Sequence, residues 1–466
     1  MPASVRIIPL IIASALFMEN MDSTVIATSL PAIARDLGTD PIVLKLAFTT
    51  YLLSLTVFIP ISGWLADRFG ARHVFRAAIL TFTLGSIACG MAQSLGWLVA
   101  ARALQGIGGA MMVPVGRIIL LRAIPKSELV DALAWLTIPA LLGPLLGPPV
   151  GGFITDMFGW RWVFWMNVPF GIAAIALATW LMPETGVEKV PPLDLRGFLL
   201  SGLGLSALVF GLTVVGRDVL PDYWPSALMV FGLIMVVLYV RHARQAAAPI
   251  LDLRLLRIAT FRAGVVGGSV FRLGVGAVPF LLPLMFQIGY GLSALQSGLI
   301  TFMAAAGAIS MKFGAARMIR RFGFRRLLLV NGVLASLSIS VMGLLSDMTP
   351  YLIALAVLFT GGFLRSLQFT AMNAMSYADI DNEQASYATA LYTVAQQLSL
   401  AGGVVLAAFV LEAAQWWRAE ETLTPMDFTI AFAVVAVCSL GALPQFLHLR
   451  PDAGSSVSGN SRQIVE

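Results

Sequence analysis

Apolar stretches of about twenty residues follow one another along the whole chain, separated by short polar loops that are rich in arginine. A helix of about twenty residues spans ~30 Å, which matches the hydrocarbon core of a bilayer. Only helices and closed barrels satisfy every backbone polar group in lipid, and these stretches are too long for barrel strands. The pattern therefore predicts an all-α polytopic membrane protein with about fourteen transmembrane helices. The predicted spans are 7–30, 43–66, 74–95, 97–121, 132–155, 161–183, 197–216, 225–241, 260–287, 294–313, 327–346, 351–375, 386–411 and 427–447.

The arginines in the loops indicate an orientation. If the N-terminus lies in the cytoplasm, most loop arginines fall on the cytoplasmic side, and only a few face outward: Arg35, Arg161, Arg217 and Arg418. Cytoplasmic loops of membrane proteins generally carry an excess of Lys and Arg. We therefore expect both termini in the cytoplasm.

The composition supports this class of protein. The chain is 58% hydrophobic and 12% charged, whereas a soluble domain is roughly 25% charged. The net charge of +6 does not indicate a nucleic-acid partner, because the basic residues lie in the loops. Cys89 and Cys438 both fall inside predicted spans, so no disulfide framework is expected.

Enzymatic chemistry is not expected. No lysine follows a glycine, so the chain lacks the Gly-Lys-[Ser/Thr] loop that cradles a nucleotide phosphate. The histidines, His73, His242 and His448, lie near the predicted cytoplasmic face and form no cluster with a nucleophile or with metal ligands. We therefore predict no enzymatic activity, no cofactor and no metal.

One loop occurs twice along the chain. Gly63–His73 follows the second span, and Arg68-Phe-Gly-x-Arg72 within it aligns with Arg321-Phe-Gly-x-Arg325 after the tenth span. The same loop in the same place predicts two six-helix bundles related as parallel repeats, with two further helices inserted between them. The predicted division is 1–183 for the N-terminal bundle, 184–258 for the inserted helices and a cytoplasmic linker, 259–450 for the C-terminal bundle, and 451–466 for a flexible cytoplasmic tail.

Two carboxyl groups lie deep inside the first predicted span. Glu19 and Asp22 are the only acids that the pattern places at such depth, and an ionised group there costs about 2.5–3.5 kcal/mol on insertion scales. At positions i and i+3 they share one face of a helix, so one partner or one cavity can serve both. Because these two acids are costly to bury, their presence indicates that they have a function.

Four motifs follow one another along the first five predicted helices. They are Met21-Asp22-Ser-Thr24-Val continuing to Leu30-Pro31; Gly63-x-x-x-Asp67-Arg68-x-Gly70-x-Arg72, with Arg76 one turn on; Arg102-x-x-Gln105-Gly106-x-Gly108; and Gly143-Pro144-x-x-Gly147-Pro148-x-x-Gly151-Gly152. Together they resemble the motifs of the major facilitator superfamily, specifically of its fourteen-helix drug:proton antiporter branch of multidrug exporters. The resemblance implies a proton-coupled exporter of small amphiphilic molecules that works by alternating access in the bacterial inner membrane.

The resemblance also implies roles for the charged residues inside the spans. Asp22 would take part in proton coupling, and Arg102, at a similar depth, would pair with it and modulate its charge. Glu19 departs from the family pattern, which more often has an uncharged residue there, and would add a second proton site or a ligand contact. The alternatives are a structural hydrogen bond for Asp22 and an Arg102 side chain that reaches the outer interface.

Two further motifs imply moving parts. The first would form a cytoplasmic latch that holds the two halves together, and its residues are Gly63, Asp67, Arg68, Gly70, Arg72 and Arg76. Ordinary anchoring by positive charge is the alternative, but it does not explain an acid between two glycines. The second, on helix five, would form a flexible hinge, and its residues are Gly143, Pro144, Gly147, Pro148 and Gly151.

Polar residues inside the spans are candidates for a substrate cavity near the midplane: Asn20, Thr24, Gln105, Arg272, Arg365, Asn373, Tyr392 and Gln396. Arg272 and Arg365 do not suit a cage for lipophilic cations, so export of anionic metabolites such as organic acids is an open alternative. Both arginines could instead satisfy backbone carbonyls between helices. A non-transporting sensor or channel is a third alternative, although the sequence shows neither a soluble output domain nor a continuous polar stripe. The expected partners are protons, a small-molecule substrate and the lipid bilayer, with a monomer as the working unit.

Overall fold

The computed structural model describes residues 3–124, 129–184, 192–215, 221, 223–381, 384–419 and 422–454. Side chains are described over the same ranges except at 3–6 and 129–141. The backbone of the described residues forms helices joined by turns, without a β-strand. Most of the predicted tail, 451–466, lies outside the described residues.

The α-helices of the described residues are α1 (Ala3–Asp36), α2 (Lys45–Phe58), α3 (Ser62–Phe69), α4 (Ala71–Gly90), α5 (Leu95–Ala123), α6 (Leu129–Phe158), α7 (Arg161–Trp165), α8 (Asn167–Leu181), α9 (Leu195–Val214), α10 (Tyr223–Gln245), α11 (Ala259–Arg262), α12 (Gly268–Leu284), α13 (Ala294–Lys312), α14 (Ala315–Phe322), α15 (Phe324–Met342), α16 (Tyr351–Ser376), α17 (Ala385–Arg418), α18 (Pro425–Leu440) and α19 (Leu443–Leu447). Short 3₁₀ segments lie at Ile59–Ile61 and Leu253–Arg257. Two π-helical turns, Ala263–Gly267 and Met285–Gly289, flank α12.

All fourteen predicted spans fall on these helices. Thirteen stretches of the described residues are long and apolar enough to cross a membrane, and α6 covers the remaining predicted span, 132–155. The prediction of an all-α polytopic membrane protein is therefore confirmed. Its physical basis is that an apolar run of this length satisfies its own backbone hydrogen bonds only as a helix.

Several helix ends differ from the predicted ones because local capping decides them. The third span is predicted to reach residue 95, but α4 ends at Gly90. Ser94 then caps α5, and its hydroxyl accepts a hydrogen bond of 3.3 Å from the Trp97 backbone N–H. At the other extreme, α17 continues past the predicted residue 411 to Arg418, where Ala419 adopts a left-handed conformation with φ 53°. Ser94 caps the start of α5 and Ala419 ends α17, and hydropathy shows neither of these local features.

The chain divides into two units, Met1–Ile250 and Leu251–Glu466. In the first unit, α1 packs along α6, α4 packs along α5, and α2 contacts both α5 and α9. The helices α9 and α10 pack against each other and belong to this unit. The division falls inside the predicted segment 184–258, and the finer boundaries of the four predicted domains stay a prediction.

In the second unit, α12 packs against α17 and α18, α13 packs against α16, and α15 packs against both α16 and α18. A core of buried side chains joins several of these helices, and it includes Phe271, Ile319, Phe324, Met375 and Phe446. In lipid, such a core is stabilised by close packing rather than by removal of water.

The repeated loop has a glycine with positive φ at the same place in both units. Gly70 lies between α3 and α4 with φ 85°, and Gly323 lies between α14 and α15 with φ 68°. Such values are strained for any residue that carries a Cβ, so glycine is required at both places. The aligned sequences therefore correspond to a shared local structure.

The glycines of α6 let this helix approach α1 closely. A Cβ placed on Gly147 would lie 2.0 Å from Thr24 Oγ1, and one placed on Gly151 would lie 2.7 Å from the backbone carbonyl oxygen of Val25. Small residues at a helix crossing permit this kind of backbone approach inside a membrane. The α1–α6 contact therefore depends on the absence of side chains at these positions.

We expect Gly151→Ala to weaken the α1–α6 contact, because the added methyl group meets backbone that cannot rotate away. Overpacking of this kind costs about 1–3 kcal/mol, so the midpoint of thermal unfolding in detergent should fall. The matched control is Gly96→Ala, at a helical position with open space around it, which should not lower the midpoint. Equal midpoints for the two variants would contradict the described packing.

Candidate functional site

A buried ion pair joins α1 to α5. Asp22 and Arg102 are 2% and 1% exposed, and Arg102 Nη1 donates a hydrogen bond of 2.6 Å to Asp22 Oδ2. Removing one partner of such a pair leaves an uncompensated charge and costs about 3–5 kcal/mol. The pair therefore holds the two helices together at this depth.

Uncharged side chains complete the hydrogen bonding around Asp22. Its other oxygen, Oδ1, accepts hydrogen bonds of 2.8 Å from Gln105 Nε2 and from Asn167 Nδ2. Ser86 Oγ accepts from the same two amide groups, over 2.7 Å and 3.1 Å. Gln105 Oε1 in turn accepts from Arg102 Nη1 over 2.6 Å. Side chains from four helices, α1, α4, α5 and α8, thus form one hydrogen-bonded cluster around Asp22, and we call these five side chains the Asp22 network.

Aromatic rings and backbone enclose Arg102. Its guanidinium carbon lies 4.2 Å from the centre of the Tyr51 ring and 5.9 Å from that of Phe164. Its Nε donates to the backbone carbonyl of Ala47 over 3.5 Å. A cation against aromatic faces in a low-dielectric site is stabilised without a second carboxylate. Its charge acts on Asp22 with little screening by solvent.

A second carboxyl group, Glu19, lies about one turn from Asp22 on α1. Its Oε2 is buried and has no hydrogen-bond partner among the described residues, and the same is true of the Tyr51 hydroxyl. Both side chains border the space beside Gly109. A Cβ placed on that glycine would lie 3.1 Å from Tyr51 Oη and 3.7 Å from Glu19 Cγ. Glu19 therefore keeps an uncommitted polar atom, whereas both oxygens of Asp22 are bonded.

The residues of the first unit that the sequence predicts for a substrate cavity lie at helix contacts. Asn20 and Thr24 face α6, where they border Gly143 and Gly147. Gln105 is 0% exposed and belongs to the Asp22 network. A cavity-lining role stays a prediction for these three residues.

The second unit contains two buried arginines. Arg272 on α12 is 0% exposed and Arg365 on α16 is 8% exposed. Arg272 Nη2 donates to the Tyr392 hydroxyl on α17, and Arg365 Nη1 lies 3.7 Å from Met342 Sδ. Neither guanidinium donates to a backbone carbonyl among the described residues, so the alternative of carbonyl binding is not what the structure shows. The other predicted cavity residues of this unit, one exposed and one half-buried, are Asn373 and Gln396.

Asp67, in the last turn of α3, contacts α5. Arg122 Nη2 donates a hydrogen bond of 2.7 Å to Asp67 Oδ1, and both side chains are partly exposed. Arg72 donates to the backbone carbonyl of Thr179 on α8. These contacts lie within the first unit, and the latch between halves stays a prediction. Of the other predicted latch residues, Arg68 is exposed, and Gly63 and Arg76 are half-buried.

The predicted hinge lies in the middle of α6. This helix runs from Leu129 to Phe158, and its helical assignment continues through Pro144 and Pro148. Each proline lacks the backbone N–H that would bond to the preceding turn, which makes a helix easier to bend. A hinge movement at these positions stays a prediction.

Three residues of the site are not predicted as such from the sequence: Ser86, Asn167 and Tyr51. Each lies inside an apolar span, where a polar group needs a partner. That need is the signal by which they could have been found. The sequence does not say which neighbouring helix supplies the partner.

Comparison with known proteins bears directly on this architecture. The family pattern described as Major Facilitator Superfamily matches residues 12–404. The chain belongs to the major facilitator superfamily. The predicted resemblance to this superfamily is therefore confirmed.

Relatives within the superfamily carry a name, MdtD, that assigns them to multidrug resistance. The protein from Klebsiella pneumoniae (strain 342) is 37% identical over 412 residues, which cover 88% of this chain and 87% of the relative. That from Escherichia coli (strain K12 / DH10B) is 35% identical over 456 residues, which cover 97% of this chain and 95% of the relative. The similarity extends over nearly the whole length of both proteins.

Solved structures of the superfamily share the fold. A peptide transporter, POT, has a TM-score of 0.72 at 14% identity and covers 97% of this chain and 96% of its own. A D-xylose-proton symporter has a TM-score of 0.65 at 15% identity, with coverage of 94% and 98%. As a member of this superfamily, the chain is a multi-pass membrane protein from a family of small-molecule transporters.

Arg102→Met should destabilise the protein by about 3–5 kcal/mol, because Asp22 then stays buried without a counter-charge. The control is Arg161→Met, since Arg161 pairs with Asp36 over 2.6 Å at a partly exposed position, and an exposed pair contributes only ~0–1 kcal/mol. The measurement is the free energy of unfolding in detergent. The double variant Asp22→Asn, Arg102→Met should recover part of the lost stability. Equal losses in Arg102→Met and in Arg161→Met would contradict the importance of burial.

Proposed function

We propose that the chain is a proton-coupled secondary exporter of small amphiphilic molecules that works by alternating access. The observation that carries the proposal is the ion pair of Asp22 and Arg102, buried inside the spans of α1 and α5. Ionisable residues inside a membrane protein mark the pathways of ions and substrates. The names of the relatives support export of drug-like molecules.

Asp22 would bind and release the transported proton. While Arg102 is in contact, the opposite charge stabilises the carboxylate form. If the two side chains separate, the buried carboxylate loses its counter-charge, and proton uptake becomes favourable. The amide groups of Gln105 and Asn167 can donate to an oxygen of either form of the carboxyl group, and Ser86 accepts from both amides, so the three side chains would keep Asp22 in place through the cycle.

Movement of α1 against α6 would drive that separation. The glycine face of α6 leaves α1 without interlocking side chains at Gly147 and Gly151, and Pro144 and Pro148 would let α6 bend. On the cytoplasmic side, the contact of Asp67 with Arg122 would break or form as the cycle proceeds. The α1–α6 contact and the Asp67–Arg122 contact would couple the protonation of Asp22 to the arrangement of helices in the first unit.

Glu19 would provide a second proton site or a contact with substrate. Its Oε2 has no hydrogen-bond partner in the described part of the chain, and the side chain borders the same space as the Tyr51 hydroxyl. A carboxyl group in such a position can exchange a proton or bind a donor without first breaking another bond. Glu19→Gln should therefore alter the pH dependence of export while leaving Asp22 in its network.

We also propose a location and an oligomeric state. The bacterial inner membrane is supported by the relatives from Klebsiella and Escherichia. The excess of arginine in alternate loops supports cytoplasmic termini. A monomer would suffice, because the Asp22 network is complete within one chain.

Two alternatives to export of amphiphiles remain, a sensor or channel and an exporter of anions, and different observations bear on each. Membership in a family of transporters favours transport over a sensor or a channel. Export of an anion is favoured by one specific observation, the burial of Arg272 and Arg365 in the second unit.

Proton-driven export is testable in inside-out vesicles that contain the chain, with ethidium as the fluorescent probe and an imposed gradient, acid inside. We expect the wild-type chain to concentrate ethidium, and we expect Asp22→Asn to reduce uptake to that of vesicles without the protein. Asp36→Asn is the control, because it removes a carboxyl group from the same helix but outside the Asp22 network.

Undiminished gradient-driven uptake by Asp22→Asn would overturn the role given to this residue. Equal loss in both variants would assign the effect to the integrity of α1 rather than to proton coupling. If the proton gradient drove no cationic, neutral or anionic amphiphile into vesicles that contain the wild-type chain, the export function itself would be wrong.

A further inference from the structure

Arg272 is fully buried in the second unit, yet only part of its hydrogen-bonding capacity is used. Its Nη2 donates to the Tyr392 hydroxyl, while Nε and Nη1 have no hydrogen-bond partner among the residues that the structure describes. The guanidinium carbon lies 4.6 Å from the centre of the Tyr392 ring and 5.3 Å from that of Phe369. Three helices, α12, α16 and α17, thus surround a cation with two unused donor groups.

The backbone is shaped around this side chain. A Cβ placed on Gly268 would lie 2.8 Å from Arg272 Nη1, so the absence of a side chain there makes room for the guanidinium. The π-helical turn Ala263–Gly267 ends immediately before that glycine. Such turns inside helices occur frequently at functional sites. Both features indicate that the local backbone is arranged to accommodate the Arg272 guanidinium.

Within the described part of the chain, neither buried arginine has a carboxylate partner. Among the described residues, no acidic oxygen lies within 4.0 Å of Arg272 or Arg365, in contrast to Arg102 with its Asp22 partner. Arg365 and Phe369 lie four residues apart on α16, so they share one helix face. Arg365 therefore adds positive potential to the face of α16 whose Phe369 ring packs against Arg272.

A purely structural role explains only part of these contacts. Aromatic faces stabilise a cation, and a single hydrogen bond fixes its orientation. They do not account for two N–H groups left without acceptors, since buried polar groups are nearly always paired. Ionisable residues inside membrane spans mark the pathways of ions and substrates, so a transported ligand is a natural source of the missing acceptor.

We propose that Arg272 and Tyr392 form an anion subsite in the second unit, and that the transported molecules include amphiphiles with a carboxylate group. This inference rests on the proposed export function and names a substrate class for it. The carboxylate accepts a charge-assisted hydrogen bond from Nε or from Nη1 of Arg272, neither of which has an acceptor among the described residues. The apolar body of the ligand packs against Phe369 and neighbouring side chains.

Two probes that differ only in charge test the subsite. Dansyl-leucine carries a carboxylate, and dansyl-leucinamide carries a neutral amide on the same apolar body. Binding to the purified full chain in detergent is measured by dansyl fluorescence. We expect the acid to bind about tenfold or more tightly than the amide, because a hydrogen bond to a charged group is worth that factor or more.

Arg272→Gln should abolish this preference by weakening only the acid, since glutamine keeps a polar side chain but not the charge. Arg254→Gln is the matched control, because Arg254 lies in the same unit with its side chain 54% exposed. Tyr392→Phe, which keeps the ring and removes the hydroxyl, should lower the affinity for the acid several-fold. It also tests the subsite if Arg272→Gln fails to fold.

Equal affinities of the wild-type chain for the acid and the amide would overturn the subsite. The same conclusion would follow if the variants weakened both probes alike, because a structural role predicts that result. Proton-driven uptake of ethidium separates the two proposals. If ethidium is exported but dansyl-leucine is not preferred over the amide, only the subsite is wrong. If the acid is preferred in an Arg272-dependent way but nothing is exported, the subsite stands and the export function is wrong.

Discussion

Two opposite charges enclosed within membrane spans are the constraint on which the first unit depends. Asp22 and Arg102 are each costly to bury alone, and they are stable there only in contact. The hydrogen bonds of Gln105, Asn167 and Ser86 extend this condition to four helices. A proton on Asp22 would therefore change the forces among all four, and this is how a small chemical change could become a movement of helices.

Close helix packing makes this site possible. A Cβ on Gly108 would lie 2.4 Å from the backbone nitrogen of Phe82, and one on Gly85 would lie 2.7 Å from Gln105 Cα. The backbones of α4 and α5 are therefore nearly in contact, which brings Ser86 within hydrogen-bond distance of Gln105. Glycines in the spans thus serve the polar network as well as the flexibility of the helices.

Much of this arrangement could be predicted from the sequence, for physical reasons. Each span was predictable because a long apolar run has one solution in lipid. A contact between Asp22 and Arg102 was foreseeable because both charges lie at similar depth and each needs a partner. The contributions of Asn167 and Ser86 were not, since one polar residue in an apolar helix does not say which neighbour it faces. The aromatic surroundings of Arg272 likewise arise only from the packing of three helices.

The claim at the centre is that Asp22 carries the proton that is exchanged for substrate. The most direct measurement is proton release when ethidium is added to the purified chain in unbuffered detergent solution, read with a pH-indicator dye near neutral pH. We expect ethidium binding to release protons from the chains in which Asp22 is separated from Arg102 and carries a proton. Asp22→Asn should release fewer at equal ethidium occupancy, because one exchangeable carboxyl group is gone. An unchanged number of released protons in Asp22→Asn would contradict the claim.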